Sequence, residues 1–225
     1  MIVETIIVGG VVISAILIRT YQNKKKKDAE IQAMLESLVL YGKAMTQVAE
    51  QNADAYQEEP VDHKLECDCS IMLKGMFPNG IRSKFESLAT EDDRQQLITE
   101  LIKRTCEILQ VDVRSVVFEE LPVNVGGSYS YGHGGSEKKI TINRVYLIED
   151  PEKLLHIIFH ELKHAVQYES VLEDNKWGYT AQRRAQWLKC MDDKYVDYCY
   201  EAYALQSIEI DAEYFAEGVF KNYNN

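Results

Sequence analysis

The chain opens on an apolar run. From Ile2 to Ile18 every position is apolar or small except Glu4 and Thr5, and the sequence then turns basic through Arg19 and Lys24 to Lys27. A run of this length sits at the lower limit for spanning hydrocarbon, and it also resembles the core of a secretory signal. The flanks separate the two, because a signal carries positive charge ahead of its apolar core, whereas here Glu4 leads and the basic residues follow. The pattern therefore predicts a single-pass transmembrane anchor over residues 1–20, with the basic flank and everything after it on the cytoplasmic side. A buried core helix or a peripheral anchor is the alternative for the same residues. Gly10 and Ser14 have the spacing that lets two spanning helices approach closely, which allows a homo-oligomer through the anchor.

Beyond the anchor the apolar period becomes helical. Ile31, Met34, Leu35, Leu38, Met45 and Val48 recur at three- and four-residue steps, so residues 21–60 read as a basic linker and an amphipathic helix, ended by Pro60. Residues 61–225 read as the folded domain. Thr90 followed by Glu91, Asp92 and Asp93 starts a helix whose buried face carries Leu97, Ile98, Leu101, Ile102, Ile108 and Leu109. Three candidate strands follow, SVVFEEL, GSYSYGH and KKITIN, the last two joined by glycines in a hairpin-like turn. Asp150, Pro151 and Glu152 then open a helix with a capping side chain, a first-turn proline and a favourable charge. Helices and a small antiparallel sheet in this order define an α+β domain.

Composition narrows the chemistry. With 25 Lys and Arg against 36 Asp and Glu, and a net charge of −11, nucleic-acid binding by a basic surface is not expected. The five cysteines, Cys67, Cys69, Cys106, Cys190 and Cys199, lack the paired spacing of a disulfide scaffold or zinc ribbon and read as reduced thiols. Cys67 and Cys69 with His63 nearby could hold a metal, but no second ligand pair follows at zinc spacing, so structural thiols are the preferred reading.

Three of the five histidines, His156, His160 and His164, fall four residues apart within LLHIIFHELKHAVQYES. On a helix they share a face, but at a rise of about 1.5 Å per residue the outer two start about 12 Å apart, so only an adjacent pair can hold one tetrahedral ion. Glu161 selects His160 and His164, because it completes an HExxH motif, in which the glutamate acts as general base beside two zinc ligands. The apolar residues around nearly the whole helix mark it as buried, where imidazoles need partners. For a third ligand, YEAYALQSIEIDAEYFAEGVF forms a second helix with Glu209 beside its apolar stripe, an expensive place for an unpaired acid. Glu209 is the preferred ligand and Glu213 its rival. Glu213 or Asp211 would then orient a ligating histidine.

The segments HELKHAVQ and EIDAEYFA together resemble the gluzincins, in particular small zinc peptidases of the ImmA/IrrE and minigluzincin kind, and the resemblance covers about Val116 to Phe220. It implies a zincin-like domain in which the sheet packs on the HExxH helix and a C-terminal helix carries the glutamate ligand. It also implies Zn2+ held by His160, His164 and Glu209, with Glu161 as the catalytic base of a peptidase acting on a peptide or protein substrate. Two features depart from the pattern: Lys163 is charged where the motif's central positions are usually neutral, and the stretch between His164 and Glu209 is long. That stretch would place an inserted helix over the site, its Arg183, Arg184 and Trp187 shaping substrate access. Tyr129, Tyr131 or His133 could supply an oxyanion donor, although strand packing explains them as well. The alternative function is a catalytically inactive binding or scaffold protein on the same fold, which would have no chemical need for Glu161.

Overall fold

The helices expected to start after Thr90 and Asp150 do so, whereas Pro60, read from the sequence as a break, starts a helix, and the C-terminal helix begins at Ser207. In the computed structural model the described residues are Lys26, Leu40, 58–122, 125–191 and 203–225. The chain divides into two units, 1–47 and 48–225, and every element below lies in the second. The apolar run Ile2–Ile18 and the expected amphipathic helix lie outside the described residues, apart from Lys26 and Leu40. Among the described residues no helix is long and apolar enough to cross a membrane.

Helix α1, Pro60–Met76, begins on its proline, whose missing N–H is no loss in a first turn. A short α2, Ile81–Glu86, leads to α3, Glu91–Leu109, capped by Thr90, which accepts a hydrogen bond from the Asp93 backbone N–H. After β1 (Ser115–Glu119), β2 (Gly127–Ser130) and β3 (Lys139–Asn143) come the short α4 (Tyr146–Glu149) and the long α5 (Pro151–Leu172). Asp150 caps α5, accepting from the Lys153 N–H at 3.1 Å. The chain ends with α6, Ala181–Met191, and α7, Ser207–Asn224.

Helix α5 forms the axis of the domain. Leu154, Leu155, Ile158, Phe159, Leu162, Ala165 and Val166 are all fully buried, and α7, α6, β2, α2 and α3 pack around them. Its closest partner is α7, where Ala212 and Ala216 are fully buried and, one turn apart, let the two helices approach. α7 also packs extensively on α1.

The architecture is α+β, but the sheet is mixed where an antiparallel one was expected. Its strand order is β1-β3-β2, with β2 antiparallel to β3 and β1 parallel to it, Ser115 opposite Lys139. Antiparallel order follows from a hairpin, and the β2–β3 hairpin does form. The link from β1 to β2 instead crosses the end of β3 and puts β1 on the far side. Asn143, 1% exposed, holds that link. Its Nδ2 donates to the carbonyls of Leu121, Pro122 and Val125, and its Oδ1 accepts from the N–H groups of Leu121 and Val145. Periodicity alone cannot register such a contact.

Replacing Asn143 with Ala strands these buried carbonyls, each of which needs a donor. Asn143→Ala is expected to lower the unfolding free energy by about 2–3 kcal/mol. Urea denaturation reads this directly, and a loss below about 0.5 kcal/mol would mean that the link holds without it.

Candidate metal centre

Residues four apart on α5 share a face, and the His160 and His164 rings stand edge to face with centroids 4.8 Å apart. Their Nε2 atoms are 3.1 Å apart. From α7, the Glu209 carboxylate reaches both, its Oε2 lying 3.2 Å from His160 Nε2 and 3.5 Å from His164 Nε2. Around a tetrahedral ion with bonds near 2.0–2.1 Å, neighbouring donor atoms sit about 3.3 Å apart. Two imidazole nitrogens and one carboxylate oxygen at this spacing fit zinc in both chemistry and separation. The rivals for third ligand lie elsewhere: Glu213 and Asp211 stand behind the histidines, one on each side.

Both rings are held from behind. His160 Nδ1 lies 3.3 Å from Glu213 Oε2, and His164 Nδ1 lies 2.7 Å from Gln167 Oε1. A donor hydrogen bond at Nδ1 leaves the Nε2 lone pair facing the site. The Gln167 amide in turn donates to Asp211 Oδ2 at 2.7 Å and to the Ile208 carbonyl at 2.9 Å. Asp211 faces Lys163 at 3.3 Å, and Lys163 meets Asp62 of α1 at 2.5 Å. Tyr179 completes this buried group, accepting from Lys163 and donating to Asp62.

The charges follow from these contacts. Burial opposes protonation of His160, but Glu209 and Glu213 outweigh it and hold its pKa near 10. His164 is also raised, since Glu209 outweighs its burial. Burial pushes the Glu209 carboxyl upward, yet the two histidines bring it well below the usual carboxylate range. Glu161 differs: it is 7% exposed, and burial lifts its carboxyl above the ordinary value although both histidines pull the other way. The Tyr129 backbone N–H of β2 donates to it. Close passage of β2 over α5 requires glycine, because a Cβ at Gly127 would come within 2.9 Å of the Thr141 carbonyl and 3.0 Å of Ile157.

Other sequence-marked residues take different places. His156 points at Glu213 Oε1, 3.5 Å away, and at Phe220, outside the ligand cluster. Arg183 and Trp187 do not line an access path. Trp187 is fully buried against Tyr179, and Arg183 reaches Glu59 and Asp211, both at 3.9 Å. Arg184 binds the Ser170 carbonyl. Tyr131 donates to Glu173, His133 stands exposed on a short 3-10 turn, and Tyr129 packs edge-on against Tyr168. Cys67, Cys69, Cys106 and Cys190 are free thiols, while Cys199 lies outside the described residues.

Sequence reasoning missed Gln167 and Asp62. The first had a signal, since it follows His164 by three positions on the same helix. The second had none locally, being 101 residues from Lys163.

Two substitutions test the support behind the ligands. Gln167→Leu removes the acceptor that orients His164, so that any zinc taken up by this cluster is expected to be held about 10–100-fold more weakly than in the parent, read by competition with a chromophoric chelator. Lys163→Met leaves Asp62 and Asp211 buried without their cation and should cost about 3–5 kcal/mol in urea unfolding. Comparison of the chain with models of known protein families, with curated proteins and with solved structures finds no match.

Proposed function

We propose that this protein is a zinc-dependent peptidase of the gluzincin type, built on a zincin-like domain and tethered to a membrane by residues 1–20. The observation that carries the reading is the convergence of His160 Nε2, His164 Nε2 and Glu209 Oε2 to within 3.1–3.5 Å, with Glu161 adjacent in sequence and buried beside them. The tether rests on the apolar run Ile2–Ile18 and its basic flank alone.

His160, His164 and Glu209 hold the ion, while Glu213 and Gln167 fix the rings. Zinc, when bound, supplies Lewis acidity that acidifies water and polarises a carbonyl oxygen. Glu161 performs the proton transfers. Its carboxylate, given a raised proton affinity by burial, takes a proton from the attacking water and returns it to the leaving amine nitrogen. The Tyr129 N–H keeps that carboxylate oriented. A cavity of about 570 Å3, lined by both polar and apolar groups including Tyr129, Ser130, Tyr131, His133, Tyr168 and Leu172, offers room for a substrate side chain. Its lining excludes His160, Glu161, His164 and Glu209, and it is linked to them by sequence neighbours alone: Tyr168 lies one turn past His164, and the Tyr129 backbone N–H contacts Glu161. Strand β2 is at one edge of the sheet, so an extended substrate backbone can align along it.

The test compares full-length Glu161→Gln and Glu209→Ala with the parent, reading zinc by elemental analysis and hydrolysis with a pool of fluorogenic peptides. Glu161→Gln should keep about one zinc at this centre and lose activity by about 10²–10⁴-fold. Glu209→Ala should lose most of that zinc. An active Glu161→Gln protein would overturn the mechanism, and a zinc-loaded parent that cleaves nothing would favour the binding-protein alternative.

A further inference from the structure

A second group of ligating side chains lies at the start of α1, on residues the peptidase reading does not use. Three positions apart on one face of α1 stand His63 and Glu66, and Glu58 precedes the helix. A carboxylate oxygen of Glu58, a ring nitrogen of His63 and a carboxylate oxygen of Glu66 all lie within 4.8 Å of one another. His63 Nδ1 faces Glu58 Oε1 at 3.6 Å, while its Nε2 lies 3.8 Å from Cys67 Sγ. The ring is thus turned with Nδ1 toward Glu58.

Glu66 is the unusual member. It is 5% exposed, yet among the described residues its carboxylate accepts no hydrogen bond. α7 makes room for it: a Cβ at Gly218 would collide with the Glu66 carboxylate, so the glycine lets the acid lie flat on the helix. A buried carboxylate of this kind needs a proton or a cation. Its neighbours do not provide the cation. Glu58, Asp62 and Asp211 add negative charge around it, and Lys163, the cation that acts on it, is already engaged by Asp62 and Asp211. Arg183 reaches toward Glu59 and Asp211. The region therefore carries more carboxylates than cations.

We propose that Glu58, His63 and Glu66 form a second, independent site for a borderline divalent ion such as zinc or manganese. Two oxygens and one imidazole nitrogen suit that class better than calcium, which takes oxygen ligands throughout. Closure to a separation of about 3.3 Å needs movement by roughly 1 Å from the outer two ligands. Both are free to make it, with side chains 47% exposed for Glu58 and 65% for His63, while Glu66 of α1 stays packed against Gly218 of α7. The ion offsets the charge surplus next to Asp62 and Lys163, and so supports the buried group behind His164.

The test is the metal content of the full-length protein after dialysis against micromolar zinc, with Glu209→Ala removing the first centre. The parent should bind about two ions per chain and Glu209→Ala about one, with the remaining ion lost in Glu209→Ala/Glu66→Gln. Glu66→Gln keeps the size and removes the buried charge. His63→Ala, at an exposed position, serves as a second variant that leaves packing intact and should weaken the same ion by roughly tenfold or more. Zinc should also raise the unfolding temperature of Glu209→Ala but not of the double variant. A parent that binds a single ion lost in Glu209→Ala, or a second ion untouched by both Glu66→Gln and His63→Ala, would overturn the proposal while leaving the first centre standing.

Discussion

The structure depends on one buried ammonium group. Lys163 is fully buried on α5, between Asp62 of α1 and Asp211 of α7, beneath the rings of Tyr179, Trp187 and Phe215 at 4.8, 5.4 and 5.3 Å. Removing a lysine charge from water costs several kcal/mol, and only good geometry and several partners offset that. Here the partners come from three helices and the loop carrying Tyr179, so the ammonium is satisfied only when all have docked. Burial works against its charge, but Asp211, Tyr179 and Asp62 outweigh it and hold the pKa well above the ordinary value. The interaction therefore selects one arrangement of α1, α5 and α7 more than it adds stability, since apolar groups in place of Lys163 and both aspartates together would fill the same volume at less cost.

That selection reaches the candidate metal centre through Asp211. One of its oxygens accepts from the Gln167 amide, whose oxygen accepts a hydrogen bond from His164 Nδ1–H. A displacement of α7 would break this line and move Glu209 away from the two Nε2 atoms at once. The two imidazole rings are held differently. His164 is tied into the buried network, whereas His160 leans on Glu213, which is half exposed.

Much of this was legible in the sequence. The α5 start, its all-round apolar coat, the HELKH spacing and the acid beside the α7 stripe are local facts, and local periodicity carries them. What could not be read is non-local. Asn143 looks like an ordinary strand end, and nothing nearby announces that it holds a link crossing β3, so the sheet order was missed. Lys163 looked like a departure from a motif. Its position inside an apolar helix was itself a sign that carboxylates must meet it, but the partners lie far along the chain and sequence gives no way to name them. Trp187 and Arg183 misled for a related reason: their types suit an access path, and only the packing shows that they form the wall behind Lys163.

The same helix thus serves as both core and site, and the two roles constrain each other. An exposed helix could carry HExxH, but its imidazoles would turn freely and its glutamate would remain an ordinary, well-solvated carboxylate. Burial of α5 fixes the rotamers, and it is also what raises the proton affinity of Glu161 toward the range a general base needs. The cost of that burial is a set of polar groups that need partners inside, and Asp211 Oδ1, with only the Arg183 charge 3.9 Å away, accepts no hydrogen bond among the described residues. The matching is done by Asp211, Gln167, Glu213, Lys163 and Asp62, and the core of this domain is polar along the one side where the ligands stand.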